Sequence, residues 1–162
     1  MRKTVLVAAA LASFALVPSA AQAQVTLGPA LAWGDSGRDL GLGAALALPA
    51  DALGPGFGFL FDFLYFFPTG VSFVGINGNV TYDFPLENST AVPFVLGGLN
   101  ITNTSVDVAG VGSGSSTDAA LNLGGGISFD LGNFRPRVLG RFQIGDGSGF
   151  QIVATLPFAI GN

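Results

Sequence analysis

The sequence contains no cysteine and no histidine. Without cysteine there is no disulfide framework, no thiolate nucleophile and no soft metal site. Without histidine, Ser-His triads and imidazole-ligated metals are excluded as well. Charge is also scarce, at 10% of residues, and no lysine follows Lys3. An acidic chain without basic runs does not suit nucleic-acid binding. After residue 23 no apolar run reaches the ~18 residues that a membrane-crossing helix needs.

The remaining chemistry is thin. The serines cluster at 103–117, with no base near them in sequence to activate them. Carboxylates alone suit Ca²⁺ or Mg²⁺ weakly, and "GDGSG" at 145–149 and "WGDSGRD" at 33–39 read as hairpin turns rather than metal loops. "LGGG" at 123–126 lacks the Lys-Ser/Thr of a phosphate loop. No enzymatic activity, metal or cofactor is expected.

What is present begins with a tripartite N-terminus. Arg2 and Lys3 precede an apolar run over 4–17, and Ala21-Gln22-Ala23 places small residues where a signal peptidase cuts. Residues 1–23 are expected to be a cleaved secretory signal peptide, and 24–162 a single domain. Arg2 and Lys3 belong to the leader, so four arginines then stand against ten acidic residues, a net charge of −6.

Twenty-five glycines and few helix-favouring charges argue against a helical bundle. Apolar residues instead recur with period two, the strand signal. Eight segments carry it: 25–33, 39–48, 56–67, 74–84, 92–102, 118–130, 135–144 and 150–158. The phase weakens at Gly97-Gly98, where a bulge is expected. Short turns are expected at 49–56, 85–91 and 131–134, and a long polar Gly/Ser-rich loop at 103–117.

The composition of the two faces points to an environment. One face is bulky and apolar in nearly every segment. The other is small or polar; in the first two segments it is Gly, Ala and Thr with scarcely a charge. A soluble lipocalin-like barrel would turn Lys, Glu and Arg to water there. A membrane barrel turns its bulky face to lipid and packs small and polar side chains into a narrow interior. An all-β, eight-stranded, antiparallel up-and-down transmembrane β-barrel is therefore expected, in contact with outer-membrane lipid. Trp33, Tyr65, Phe67 and Phe150 would form one aromatic girdle, and Tyr82, Phe84, Phe129 and Phe158 the other.

The lumen then takes the polar residues of the minor face, with Asp62, Asn77, Asn79, Asp83, Asn122, Asp130, Arg135, Arg137, Arg141 and Gln143 as its expected network. Strands three and seven of an eight-stave ring face each other, so Asp62 and Arg141 can meet across the interior. Asp83 and Arg137 lie nearer the short turns, and Asp130 and Arg135 flank the turn between strands six and seven. Counting back along that hairpin places Gly124 opposite Arg141.

The run "VPFVLGGLNI", the stretch "LNLGGGISFDLGNFRPRVLGRFQI" and the last strand "FQIVATLPF" make the chain resemble the small outer-membrane β-barrel family that includes the OmpA transmembrane domain, OmpX and OmpW. The resemblance implies a monomer in the bacterial outer membrane, exported through its signal peptide and inserted by the barrel-assembly machinery. Enzymes of similar architecture use a catalytic histidine, which this chain lacks. Family members commonly end on a terminal aromatic, whereas here Phe158 is followed by Ala-Ile-Gly-Asn. The expected role is structural or surface-interactive, around a filled polar lumen. The alternatives are a narrow pore or conduit for small hydrophobic molecules, as OmpW-like relatives suggest, and a soluble periplasmic lipocalin-like binder.

Overall fold

The structure, a computed structural model, describes residues 24–35, 40–67, 71–108, 112–146 and 148–160. The expected signal segment 1–23 lies outside the described residues, as do Arg38 and Asp39. The strands are β1 Val25–Gly34, β2 Leu40–Pro49, β3 Phe57–Phe66, β4 Val71–Asp83, β5 Ala91–Val108, β6 Gly112–Phe129, β7 Arg137–Gly145, β8 Gly149–Thr155 and β9 Phe158–Ile160. Each pairs antiparallel with its neighbour from β1 to β8, and β1 also pairs with β8 and β9. The sheet thus closes into an eight-stave antiparallel barrel, which leaves no open sheet edge around the ring.

The eighth stave is made of two pieces, β8 and β9. Ala30 pairs with Thr155 and Leu27 with Phe158 in one continuous register. The interruption falls at Leu156-Pro157, beside Pro29 of β1. Proline has no N–H to donate, so the ladder thins where these two prolines meet. The Leu156 N–H still donates to the Pro29 carbonyl at 3.0 Å.

Two expectations are corrected. The segment 103–117 is an extension of the β5–β6 hairpin rather than a loop, paired from Asn103↔Thr117 to Val108↔Gly112. Gly and Ser read as turn formers, but Thr104 and Val106 carry strand preference. Asn103 adds cross-strand hydrogen bonds to Thr117 Oγ1 at 3.0 Å and to the Ser116 carbonyl at 3.2 Å. No bulge occurs at Gly97-Gly98, whose register runs unbroken on both sides. A Cβ on Gly98 would stand 2.1 Å from the Gly78 carbonyl oxygen, so glycine there permits close backbone approach.

Alternation sorts the faces as the pleat requires. Leu31, Leu42, Leu99, Leu121, Phe142 and Ile152 all point outward, between 43% and 62% exposed. Such a continuous apolar exterior suits hydrocarbon rather than water. Aromatic rings gather toward both rims: Tyr65 packs edge-on to Phe67, and Phe142 tilts against Phe150. At the short-turn end Tyr82 packs edge-on to Phe84, and Phe134 stacks on Phe158.

The interior is mixed rather than wholly polar. Leu60, Leu64 and Phe66 of β3 pack with Leu139 and Val153 in a buried apolar cluster. Ala30 and Ala32 of β1 and Ala45 and Ala47 of β2 form its small-residue wall. Large side chains from the other staves cross the narrow lumen, so β1 and β2 must stay small.

Candidate functional site

The centre of the interior is organised by one arginine. Arg141 on β7 is fully buried. Its Nη1 donates to Asp62 Oδ2 at 2.6 Å and its Nη2 to Asp62 Oδ1 at 2.8 Å, a forked contact from β7 to β3. Its Nε and Nη2 also donate to Gln151 Oε1 of β8, at 3.0 and 2.9 Å. The register pairs Gly124 with Arg141, as the hairpin count expects. A Cβ on Gly124 would stand 2.2 Å from the Gly140 carbonyl oxygen and 2.9 Å from the Arg141 Cβ. The glycine thus makes room for the neighbouring backbone and the stem of the arginine, not only for its guanidinium.

A ladder of asparagines continues the network around the ring. Asn77 donates to Asp62 Oδ1 at 2.8 Å, and Asn100 donates to Asn77 Oδ1 at 2.9 Å. Asn122 donates to Asn77 Oδ1 at 3.0 Å and to Asn79 Oδ1 at 2.9 Å. Asn79 donates in turn to the Leu60 carbonyl at 3.2 Å. Gln151 donates to Gln143 Oε1 at 3.3 Å. Side chains from six consecutive staves, β3 to β8, are therefore tied together. Buried polar groups demand such partners, because a stranded one forfeits its hydration without compensation.

Of the expected residues, Asp62, Asn77, Asn79, Asn122, Arg141 and Gln143 converge here. Asp130 and Arg135 do not: they form an ion pair at the β6–β7 turn, with side chains 43% and 35% exposed. The turn residues face the rim because their strands have already ended. Asp83 and Arg137 are not in ion-pair contact; the pairs among the described residues are Arg135–Asp130 and Arg141–Asp62. Arg137 instead lies over the Phe94 ring, 5.7 Å from its centroid.

No protein-family model matches the chain, and no curated protein matches it in sequence. Solved structures do match it in shape. The N-terminal β-barrel domain of Pseudomonas aeruginosa OprF is similar with a TM-score of 0.67 at 15% identity, over 86% of this chain and 100% of that one. The fold is that of small outer-membrane β-barrels. Neisserial surface protein A is similar with a TM-score of 0.65 at 16% identity, over 84% of this chain and 96% of that one. Ail, the attachment invasion locus protein of Yersinia pestis, gives 0.59 at 17%, over 84% and 97%. Ail has also been solved with the heparin analogue sucrose octasulfate.

Sequence reasoning missed Asn100, Thr102 and Gln151 as network members. Thr102 Oγ1 donates to Asn100 Oδ1 at 2.8 Å. All three sit on the inward parity of their strands, so the alternation marks them. The weak phase at Gly97-Gly98 hid the first two. Gln151 becomes a partner of Arg141 only through the β7–β8 pairing that sets the two residues opposite each other.

Proposed function

We propose that this chain is a monomeric bacterial outer-membrane barrel with a structural or surface-interactive role, its interior closed by the Arg141 network. The observation that carries the reading is the pairing of an apolar exterior with a buried guanidinium bridging β7 to β3. Lipid surrounds the outer belt, and the barrel-assembly machinery inserts the chain after export through the signal peptide. The polar groups of the lumen hold one another, which supports a plug rather than a catalytic centre. In this orientation the long β5–β6 hairpin stands outside the cell.

Among the described residues the hairpin end carries Asp35, Asp118 and Asp146 and no basic side chain. That acidity disfavours a polysulfated ligand of the kind named for Ail and favours neutral or basic surface partners.

The test is a membrane fractionation followed by an SDS gel of boiled and unboiled samples, then conductance in planar bilayers. A membrane-bound protein whose unboiled band migrates differently, and which conducts only weakly, is expected. Recovery in the soluble periplasm overturns the membrane reading, and a robust single-channel current replaces the plug with a conduit.

A further inference from the structure

The outward face differs between the two ends of the barrel. On β6 the parity of Leu121 reads Ser113, Ser115 and Thr117 toward the hairpin tip, all exposed and polar. Toward the other end it reads Ile127, Phe129 and Leu131, and Leu131 already lies in the turn beyond the strand. The end of β4 repeats the pattern. Tyr82 and Phe84 are followed on the same parity by Leu86, although the strand stops at Asp83. Leu86 is 53% exposed and Leu131 57%, and the third short turn carries Leu53 at 54%.

These turns hold their leucines in place. The Leu131 N–H donates to the Phe134 carbonyl at 3.1 Å, and the Asp130 N–H to the Thr90 carbonyl at 2.8 Å. The Gly132 N–H donates to Asp130 Oδ1 at 3.2 Å. The Phe84 N–H donates to the Pro93 carbonyl at 2.8 Å, which keeps the end of β4 on β5. Apolar surface fixed outside the barrel wall calls for a cover. The cover continuous with it is the lipid around Phe84 and Phe129. With a rise of ~3.4 Å per residue and a tilt near ~40°, two further residues reach about 5 Å beyond those rings along the membrane normal. Apolar side chains at the headgroup/acyl boundary sit within such a depth. Basic side chains described at this end are Arg135, ion-paired with Asp130, and the buried Arg137. Among the described residues that leaves no exposed, unpaired cation for an anionic headgroup, which suits zwitterionic lipid.

We propose that the short turns are seated in the inner leaflet, with Leu86 and Leu131 inserted at the headgroup/acyl boundary of zwitterionic phospholipid, rather than standing free in the periplasm. The proposal rests on the membrane reading and deepens it. Leu121 on the outer belt separates failure of the one from failure of the other.

The experiment is methyl NMR of the protein, labelled at its leucine methyl groups, in phosphatidylcholine nanodiscs. Leu86→Met, Leu131→Met and Leu121→Met identify the three signals by their disappearance. Phosphatidylcholine spin-labelled on its acyl chains and a water-soluble gadolinium chelate are then added to separate samples. Leu86 and Leu131 should lose more intensity to the lipid label than to the chelate, as Leu121 does. Should one of the two turn variants fail to fold, the other turn decides the question. Loss of the Leu86 and Leu131 signals to the chelate but not to the lipid label, with Leu121 still yielding to the lipid label, overturns the proposal and leaves the membrane reading standing. Loss of the Leu121 signal to the chelate as well overturns both.

Discussion

Arg141 and Asp62, 79 positions apart in the chain, meet in a forked hydrogen bond of 2.6 and 2.8 Å across the barrel interior. Both side chains are essentially inaccessible. Loss of one partner strands the other charge in a medium of low polarity. Arg141→Met should therefore destabilise the barrel by about 3–5 kcal/mol, measured by urea unfolding in micelles. Asp62→Leu combined with Arg141→Met should cost clearly less than the two single changes added together. Strict additivity would show that the pair does not act as a unit.

Gly124 and Gly114 lie on the same strand but in different surroundings. A Cβ at Gly124 meets the Gly140 carbonyl oxygen at 2.2 Å, whereas nothing lies within 4 Å of one at Gly114. Gly124→Ala should destabilise by about 1–3 kcal/mol through overpacking against backbone. Gly114→Ala should be neutral or slightly stabilising, because alanine has fewer unfolded conformations to lose. Equal midpoints in urea for the two variants would refute the close-approach role of Gly124.

Leu121 is 56% exposed on the outer belt, paired with Leu99 of β5 and Ile144 of β7. In a bilayer, Leu121→Arg should cost about 2–4 kcal/mol, falling toward zero for substitutions nearer the rims. The same change on a water-facing surface would improve solubility and leave stability nearly unchanged. Comparing unfolding in lipid vesicles for Leu121→Arg and Ser115→Arg distinguishes the two environments.

Asp130 titrates against Arg135 at the rim. Partial burial pushes its carboxyl up, but the Arg135 hydrogen bond, the Gly132 N–H and the Arg135 charge outweigh burial and hold it below its ordinary value of 3.8. A lowered folded value means that folding favours the charged form. The stabilisation is therefore present above the unfolded value and is lost as pH falls through the folded one. The pair is well exposed, so Asp130→Asn should cost no more than about 1 kcal/mol at neutral pH. That difference should vanish in acid below the folded value, as read from urea midpoints at the two pH values.

Period-two alternation made the eight staves legible because a barrel exposes its two faces to different media. Leu31 and Ala32 follow each other in sequence yet are 48% and 1% exposed. The 103–117 extension was illegible by the same logic: neither of its faces is buried in a core, so no contrast marked it. The short β6–β7 turn made the Gly124–Arg141 register countable. Asn100 and Gln151 could be placed in the network only after the neighbouring staves were brought alongside.

Local pattern thus determined the class of fold, the facing of most residues in the eight recognised segments, and Asp62 and Arg141 as charges of the interior. These follow from pleat geometry and composition, which act within a few residues. Closure of the ring decided the rest. It set Arg141 on Asp62 and Gln151 and left the Arg137 guanidinium over Phe94 rather than on Asp83. Such contacts depend on the stagger of strands far apart in sequence, and a few ångströms of stagger decide whether two charges pair.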